Sequence, residues 1–525
     1  MMAPPARKGA AGFFIANVWS HAMNDEEKYI ARTERMLTRW SGQRLAVTRK
    51  QTTEGDVMRH TPPAVGQLDA ENGQYLEPAR PLPILAQCDV LVVGAGPAGL
   101  SAALAAKRAG ADTIILERFG CFGGVITTVG METLAWYRYE GTVEGEGIGI
   151  EMERIAAQMG GSIKWPYNDS QCLDADFFKV VADRLITEAG VRPILHCMAV
   201  DVIFEEDSNR LKGIITESKS GRQVVLAKRI IDCTGDADIA HLAGASYRKT
   251  PKDKMLGVTT VFNASGVDKQ KFLQYTEDQP ATYADWSRTW DQETTGKEDA
   301  LRSPYLDKEF DTARELGVIP ANTTNLGGSW SALTEAGEAT NLNLAHMSGF
   351  DCTDVMDLTK AEMQGRQEAL YALMALKKVV PGFESAKLRN FGMTLGTRDS
   401  RKIIGRYNLS SDDVRNQAKF DDSIGIFPEF IDGYNVLILP TTGRYFEVPY
   451  GCMVPLEVDN LLVAGRCVAG DMVSHAAMRN MMACTVTGQG AGAAAAVSLQ
   501  QGKSTADVDL ADVQAELERQ GVRLH

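Results

Sequence analysis

The sequence of 525 residues lacks several features that would define a function on their own. None of its nine cysteines belongs to a C-x-x-C pair, which argues against iron–sulfur clusters, zinc sites and a dithiol redox centre. No apolar run reaches the roughly 18 residues that a membrane-spanning helix requires. Lysine and arginine (55) are outnumbered by aspartate and glutamate (68), which gives a formal charge of −13. We therefore expect neither a membrane nor a nucleic-acid partner, because phosphate backbones attract basic surfaces.

What is present is ordinary for a soluble globular protein: 44% of the residues are hydrophobic and 23% are charged. A chain of this length can bury a large core and is expected to form two or more lobes. Most of the cysteines lie in apolar, strand-like runs, where a thiol behaves as a small core residue. This pattern predicts reduced cysteines and a cytoplasmic location.

The start of the chain permits two interpretations. Residues 7–22 loosely resemble a signal peptide, with two basic residues followed by an apolar run. Asn17 interrupts that run, so export is disfavoured. Met23 precedes a charged segment and is as suitable a translation start as Met1.

Residues 1–83 are predicted to form an arm. Residues 24–40 place apolar side chains at helical spacing in a charged background, which predicts an amphipathic helix. Residues 52–83 are polar, contain five prolines and show no periodicity, so an extended path is expected. Such an arm packs on its own body or on a neighbouring subunit, and a homo-oligomer held through it is one expectation.

The most informative stretch is CDVLVVGAGPAGLSAALAAKRAGADTIILERFGCFGG, residues 88–124. Residues 89–93 are apolar and strand-like, residues 98–109 are small and helix-forming, and residues 113–116 predict a second buried strand. The order strand, glycine-rich turn, helix, strand and acid is typical of a dinucleotide-binding βαβ unit. A purely structural βαβ unit is the alternative.

Each glycine of the turn has a separate task in such a unit. Gly94 permits the tight turn, Gly96 lets the backbone approach a pyrophosphate, and Gly99 lets the helix pack closely on the strand. The helix N-terminus at Ala98 offers unpaired N–H groups and the positive end of the helix dipole to the phosphates. Glu117, at the end of the second strand, is placed to accept hydrogen bonds from a ribose diol.

The residues after Glu117 indicate which dinucleotide is bound. Arg118 is followed by Gly120, Gly123 and Gly124, and a glycine pair lets a loop pass close to a bulky ligand. The pattern E-R-x-G-x-x-G-G resembles the FAD-dependent oxidoreductases with a glutathione-reductase-type Rossmann domain. The resemblance implies non-covalent FAD, with this loop beside the ribityl chain and the flavin. A glycine-rich surface turn is the alternative.

Later segments extend the resemblance to this family. Strand-like runs at residues 192–205, 211–217 and 223–227 match its three-stranded β-meander, and Val200 of the first run is assigned to the cofactor site.

The turn Thr234-Gly235-Asp236 resembles a strand-to-helix turn that lies over the far side of the dinucleotide in the same family, with Ala237 as a mild departure. A plain turn with an aspartate N-cap is the alternative.

The C-terminal block is assigned to the cofactor as well. Residues 460–464 predict a strand that ends at Gly465 and Arg466. A helix of small residues is predicted to open at Gly488 and Gln489, with its N-terminus facing the pyrimidine edge of the flavin. A positive dipole end there favours two-electron hydride acceptance at N5.

The predicted fold class is α/β, with five segments. They are an N-terminal arm (1–83), a Rossmann-type FAD-binding domain with a β-meander (84–256 and 456–502), a mixed α+β substrate lobe (257–455) and a C-terminal tail (503–525).

Three arginines are predicted to contribute through their charge. Arg398 and Arg401, three residues apart in a predicted helix, share one face and serve either to anchor the lobe or to bind an anion; anchoring is favoured. Arg479 is assigned to a substrate carboxylate or to the flavin pyrophosphate.

Catalysis requires a donor carbon over N5 and a base for any proton that leaves with it. His475 lies between the Gly465 turn and the flavin-facing helix and suits proton transfer near neutral pH, although a structural histidine is an equal alternative. Tyr450 is the next candidate, as proton donor or substrate contact. His346, Arg444 and Trp330 are chosen for their chemistry within the lobe that should cover the flavin.

Cys121 lies in the predicted flavin loop, where packing is favoured over catalysis because no second cysteine is near. No metal ligand is assigned.

The resemblance implies an FAD enzyme that transfers a hydride between a small organic substrate and flavin N5, with an electron acceptor that the sequence does not identify. A flavin-dependent monooxygenase and a non-catalytic electron-relay subunit are the alternatives.

Overall fold

The computed structural model describes residues 66–69, 71–134, 137–139, 143–164, 171–279, 291–293, 306–330, 332–439 and 443–525. The predicted arm helix at residues 24–40 lies outside these ranges. Of the predicted arm, the structure describes two short antiparallel strands, Gln67–Asp69 and Gln74–Leu76, and the linker that follows them.

The strands of the described residues are, in chain order, β1 (Gln67–Asp69), β2 (Gln74–Leu76), β3 (Ile84–Val93), β4 (Thr113–Leu116), β5 (Arg138–Tyr139), β6 (Val143–Glu144), β7 (Ser162–Lys164), β8 (Gln171–Leu173), β9 (Arg192–Ile194), β10 (Met198–Phe204), β11 (Leu211–Ser218), β12 (Gly221–Asp232), β13 (Tyr247–Lys249), β14 (Val258–Ser265), β15 (Asp291–Glu293), β16 (Leu326–Ser329), β17 (Ala332–Leu333), β18 (Glu338–Met347), β19 (Lys387–Phe391), β20 (Arg401–Ile403), β21 (Ser423–Pro428), β22 (Ile431–Gly433), β23 (Val436–Ile438), β24 (Tyr445–Pro449) and β25 (Leu461–Val463).

The α-helices of the same residues are α1 (Pro97–Arg108), α2 (Gly147–Gln158), α3 (Ala175–Ala189), α4 (Asp238–Leu242), α5 (Lys269–Asp278), α6 (Asp307–Glu315), α7 (Val355–Val379), α8 (Ser411–Arg415), α9 (Met472–Met478), α10 (Met481–Gln501) and α11 (Leu510–Arg519).

The main sheet has the strand order β10-β11-β12-β3-β4-β9, and β25 also pairs with β12. The strands β12, β3, β4 and β9 run parallel, and β25 is parallel to β12. β11 is antiparallel to both of its neighbours, β10 and β12. Every residue of β4 is buried, as expected for a parallel strand that is covered on both faces. This architecture confirms the predicted α/β class, with a Rossmann-type sheet and a three-stranded β-meander.

β12 is longer than the predicted meander strand at residues 223–227, because it continues into the parallel sheet. Its first part pairs with β11, and residues 230–232 pair with β25, while β3 follows the opposite edge. The strand contains no glycine or proline after Gly221, so nothing interrupts it. One strand of 12 residues therefore belongs both to the meander and to the parallel sheet.

α10 is the central packing helix, and it begins at Met481 rather than at Gly488 as predicted. Residues 482–498 are all buried, so the helix is covered on every face. A Cβ on Gly488 would lie 2.1 Å from the carbonyl oxygen of Ala98 in α1. Gly488 therefore permits close helix packing, and the helix N-terminus lies two turns earlier.

The predicted substrate lobe contains a hydrophobic cluster of its own. Its sheet has the order β16-β18-β14-β19, with β17 also paired to β18, and α7 packs against it. Phe272 and Trp330 meet edge to face at 4.8 Å in this core, and Phe310 and Phe383 are fully buried there. Trp330, chosen from the sequence for its chemistry in this lobe, is 1% exposed and belongs to this core.

The last residues pack onto the rest of the described chain. α11 begins at an Asp509 N-cap, and Gln520 donates to the carbonyl of Ala105 in α1. The hydroxyl of Ser423 donates to the carbonyl of Leu524. No helix within the described ranges is long and apolar enough to cross a bilayer.

Candidate functional site

A cavity of about 1130 Å³ lies at the carboxyl ends of the parallel strands, where ligands bind in open α/β sheets. One end, which we call the dinucleotide end, is formed by residues 94–98, 116–118 and 234–236. The other, which we call the polar wall, is formed by His346, Arg398, Asp432, Tyr434 and Arg479. The volume exceeds the roughly 300–1,000 Å³ of a pocket for one drug-sized ligand. The cavity is therefore larger than one drug-sized ligand requires.

The glycine-rich turn is shaped to bring its backbone close to a ligand. Gly94 has φ 94°, and a Cβ there would lie 2.5 Å from the carbonyl oxygen of Cys233. A Cβ on Gly99 would lie 1.8 Å from the carbonyl oxygen of Gly94, so α1 approaches the strand as predicted. Gly96 lines the cavity, and a Cβ there would have 3.8 Å to its nearest neighbour. The cradle at Gly96 is open to the cavity, as a bound pyrophosphate requires.

Glu117 is fixed at the end of β4 by two backbone donors. One carboxylate oxygen accepts from the Ala95 N–H at 2.7 Å, and the other accepts from the Phe119 N–H at 3.0 Å. Each oxygen keeps further acceptor capacity, because a carboxylate has about four lone-pair sites. Glu117 and Arg118 both line the cavity, so the acid is positioned to accept from a ribose diol.

Arg466 ties the dinucleotide end to the loop before β20. Its Nη2 lies 2.6 Å from a carboxylate oxygen of Asp236, and its Nε donates to the carbonyl of Gly235 at 2.8 Å. A third bond joins its Nη1 to the carbonyl of Thr397. Ser400 donates to the same Asp236 oxygen at 2.6 Å. These contacts hold residues 397–400 over the cavity.

The polar wall centres on Asp432, which two arginines contact. Arg398 Nη2 lies 3.2 Å and Arg479 Nη2 lies 3.0 Å from the same carboxylate oxygen. Burial opposes ionisation of Asp432, but the charges of Arg398 and Arg479 hold the pKa of the carboxyl below its usual value. Burial and the nearby Arg398 lower the pKa of Arg479 to about 10, so Arg479 stays charged at neutral pH.

Asp432 and Tyr434 lie on one tight hairpin. β22 and β23 are joined by Tyr434 and Asn435, whose φ angles are 55° and 65°. Positive φ at both central residues is the mark of a type I′ turn, which is costly for a tyrosine. The turn carries Tyr434 to the cavity wall beside Asp432.

His346 lies on the cavity wall at the end of β18. Its Nδ1 is 3.1 Å from the carbonyl oxygen of Gly327, and because a carbonyl only accepts, Nδ1 carries the proton. Burial, aided by the charge of Arg398, lowers the pKa of the ring to about 4. His346 is therefore neutral at pH 7, with Nε2 unprotonated.

A buried charge network lies behind the polar wall. Lys402 Nζ donates to a carboxylate oxygen of Asp399 at 2.6 Å and to the hydroxyl of Thr250 at 3.0 Å. Tyr434 also donates to Asp399. Burial opposes ionisation of Asp399, yet the charge of Lys402 and the hydrogen bonds from Lys402 and Tyr434 hold its pKa below the usual value.

His475 belongs to this network and is not among the residues that line the cavity. Its Nε2 donates to the carbonyl of Arg398 at 3.1 Å and lies 3.8 Å from Asp399. Burial lowers the pKa of the ring to about 3, so the side chain is neutral. His475 thus contacts the backbone that carries Arg398.

The predicted helix around Arg398 and Arg401 is absent from this part of the structure. Residues 395–400 form a loop, and Arg401 starts β20. The buried side chain of Asp399 accepts from Lys402 in β20, and that of Ser400 donates to Asp236, and such side-chain bonds compete with helix formation. Arg401 donates to the carbonyl of Asp236 and to Asp238, both at 3.0 Å, so it anchors, whereas Arg398 reaches the cavity.

Two further catalytic candidates lie away from the cavity lining. Tyr450 is buried, and its hydroxyl donates to the carbonyl of Thr505 at 2.7 Å. Arg444 pairs with Glu429, Nε to carboxylate, at 2.6 Å. Cys121 is buried, with its Sγ 3.7 Å from the hydroxyl of Thr127.

The predicted cofactor residues divide into those that line the cavity and those that support it. Those on the wall are Gly94, Gly96, Ala98, Glu117, Arg118, Gly124, Thr234, Gly235, Asp236, Gly465, Arg466 and Arg479. Those outside the lining are Gly99, Gly123, Val200, Gly488 and Gln489.

The reasons for that division differ from residue to residue. Gly123 donates to the carbonyl of Ala95, and Gln489 accepts from the Ile148 N–H at 2.9 Å. Met198 and Ala199 line the cavity in place of Val200.

Sequence reasoning missed Asp432 and Tyr434. Their turn carries Tyr-Asn at its centre, without the Asn-Gly or Asp-Gly signal of a type I′ hairpin. Within the described residues, no cluster of three or more histidines, cysteines or acids is arranged to hold a metal ion.

Residues 89–517 match the model of the FAD dependent oxidoreductase family. The match covers most of the chain, and the protein belongs to this family. It is therefore an enzyme with FAD as its cofactor, and the prediction from the glycine-rich turn is confirmed.

The chain is also similar to thiamine thiazole synthases. It is 30% identical to that of Saccharolobus islandicus over 176 residues, which are 32% of this chain and 61% of the relative. It is 29% identical to that of Metallosphaera sedula over 174 residues, 31% of this chain and 59% of the relative. The chain thus spans less than two thirds of the length of these relatives.

Similar solved structures include a geranylgeranyl bacteriochlorophyll reductase-like protein from Thermoplasma acidophilum. The TM-score is 0.44 at 14% identity, over 83% of this chain and 82% of that one. A flavin-dependent brominase gives a TM-score of 0.40 at 13% identity, over 83% and 84% of the two chains.

Proposed function

We propose that this protein transfers a hydride between a small organic substrate and the N5 atom of FAD. The observation that carries the proposal is the single cavity, which joins the dinucleotide end to a wall of ionisable and hydrogen-bonding side chains. FAD, when bound, supplies a two-electron acceptor that side chains cannot provide. The polar wall then has the task of orienting a substrate and accepting its proton.

FAD would be held non-covalently by backbone N–H groups and a few side chains. Gly96 and the first turn of α1 meet the pyrophosphate, Glu117 meets the ribose, and Arg466 with Asp236 closes the far side. The supporting observations are the open cradle at Gly96 and the fixed carboxylate at Glu117.

The N-terminus of α10 would face the pyrimidine edge of the flavin. Asn480, Met481 and Met482 line the cavity, and the first N–H groups of a helix have no partner within it. The positive end of the helix dipole favours negative charge at that point. This role moves from the predicted Gly488 to the start of the same helix.

His346 is the proposed proton acceptor. It lies on the cavity wall with Nδ1 held by Gly327, which leaves Nε2 as the basic nitrogen. His475 is proposed to act through Arg398, whose carbonyl it contacts, rather than as the base. A base contributes about 10²–10⁴-fold to a rate, which sets the scale for testing the assignment.

The test is anaerobic reduction of the purified holoenzyme by a panel of candidate hydride donors, followed by flavin absorbance in a stopped-flow instrument. We expect at least one donor to bleach the flavin without oxygen or a nicotinamide. Bleaching only by a nicotinamide, with oxygen uptake coupled to hydroxylation of an added substrate, would establish a monooxygenase instead. If the flavin exchanges electrons only with protein partners, the protein is a non-catalytic electron-relay subunit instead.

We also propose a reducing, cytoplasmic setting. Each of the nine cysteines is buried and has a free thiol, which supports this assignment.

A further inference from the structure

The polar wall holds more hydrogen-bond donors than the protein uses. Each guanidinium has five N–H donors. Within the described residues the guanidinium of Arg398 bonds only to Asp432, and that of Arg479 bonds to the carboxylate and the carbonyl of Asp432 through one nitrogen. The buried Nε of Arg479 has no acceptor there. Unpaired buried donors of this kind call for a partner.

The charges on this wall limit what that partner can be. Arg398 and Arg479 are positive, Asp432 is negative, and His346 is neutral. Asp307, at the start of α6, also lines the cavity and accepts from the Gly328 N–H at 3.1 Å. The sum is close to zero, so a dianion such as phosphate is disfavoured. A planar monoanion matches the fork of a guanidinium.

We infer that Arg398 and Arg479 form a subsite for the carboxylate of the organic substrate, with Asp432 holding both arginines in place. This inference rests on the proposed function, because the subsite serves the molecule that donates or receives the hydride. Phe430, Leu326 and Leu437 line the same cavity and suit a partly apolar skeleton. The substrate class is therefore a monocarboxylic acid.

Binding of the acid has a consequence for His346. The charge of Arg398 is one reason that the pKa of this histidine is low. A carboxylate beside Arg398 offsets that charge and raises the pKa of the ring towards neutrality, where a base is most effective. Substrate binding and proton acceptance are thus coupled through one arginine.

The test is calorimetric titration of the oxidised holoenzyme with acid and amide pairs: acetate with acetamide, phenylacetate with phenylacetamide, and benzoate with benzamide. We expect at least one acid to bind about tenfold or more tightly than its amide, since charge-assisted bonds are the stronger ones. Nitrate, a planar inorganic monoanion, should bind more weakly than that acid. Equal binding of every acid and its amide, or stronger binding of nitrate, would overturn the inference.

Variants separate recognition from folding. Arg398→Gln and Arg479→Gln should each weaken acid binding about tenfold or more and leave amide binding unchanged. The control is Arg184→Gln, which removes an i,i+4 ion pair on α3 and should change neither affinity. Asp432→Asn should strengthen acid binding, because the amide oxygen can still accept from both arginines while the competing negative charge is lost. Weakened acid binding in Asp432→Asn, in a holoenzyme that melts normally, would show that the cluster is only structural.

The FAD content of each preparation keeps the two proposals distinguishable. A preparation that contains FAD but fails the acid and amide comparison contradicts the carboxylate subsite alone. A holoenzyme that passes this comparison but is bleached by no donor contradicts the proposed hydride transfer alone.

Discussion

The two ends of the cavity are built in different ways. The dinucleotide end depends on backbone: glycines that let two chain segments touch, and N–H groups that face outward at the start of a helix. The polar wall depends on side chains from β18, the loop before β20, the β22–β23 hairpin and the end of α9. Most of the first, residues 94–98 and 116–118, comes from one short stretch of the chain, whereas the second is assembled from segments that meet only in the folded chain.

The comparison predicts that substitutions in the wall act on turnover and those in the turn act on cofactor binding. His346→Asn should show the largest effect, a fall of about 10²–10⁴-fold in the rate of flavin reduction, because it removes the proposed base. The measurement is anaerobic stopped-flow with the best donor. The variant should keep its full FAD content, and a parent-like rate would contradict the assignment.

Glu117→Ala is the matching change at the dinucleotide end. Loss of hydrogen bonds to a charged acceptor should weaken FAD binding by about 1.5–3 kcal/mol for each bond. Binding is measured by fluorescence titration of apoprotein with FAD. Glu315→Ala, on the exposed side of α6, is the control. Parent-like affinity in Glu117→Ala would mean that the ribose is held elsewhere.

Substitution by alanine at two glycines of the same turn should have different effects on stability and on FAD binding. Gly99→Ala places a Cβ 1.8 Å from the Gly94 carbonyl and should lower the free energy of unfolding by about 1–3 kcal/mol or more. Gly96→Ala, with 3.8 Å of space, should leave the stability of the apoprotein unchanged and weaken FAD binding. Denaturant unfolding and FAD titration separate the two. Equal loss of stability in both variants would contradict the assignment of Gly99 to helix packing and of Gly96 to the approach of the ligand.

His475→Asn distinguishes a positioning residue from a base. If the ring only holds the Arg398 carbonyl, the variant should weaken acid binding about tenfold or less and raise KM more than it lowers kcat. The pH profile of flavin reduction should keep its ionisation near neutrality. A fall of about 10²–10⁴-fold in the reduction rate, with loss of that ionisation, would restore His475 as the base.

The last expected effect appears only at acidic pH and concerns stability. The pKa of His475 is about 3 in the folded state and about 6.5 when the residue is unfolded, so the unfolded chain binds more protons between these values. The free energy of unfolding should therefore fall as the pH drops from 6.5 towards 3. Urea unfolding at several pH values should show a shallower fall in His475→Asn than in the parent.

Much of the dinucleotide end was predictable from the sequence. The strand, turn, helix and acid are neighbours in the chain, and their spacing encodes their geometry directly. The start of α10 was not predictable in this way. Gly488 resembles the first residue of a helix, but it is a glycine because the helix packs against Ala98 at this position. The glycine at this position reflects packing against α1, which no local sequence pattern shows.

The sequence by itself determined the fold class and the cofactor, since these depend on local backbone chemistry. The tertiary structure alone decided which side chains line the polar wall. It brought Asp432 and Tyr434 to the wall on an unsignalled turn and moved Arg398 out of a predicted helix. It also placed His475 behind that wall, against the Arg398 carbonyl. Side chains from distant segments meet only when their strands and loops are packed, and burial then sets which of them carry charge.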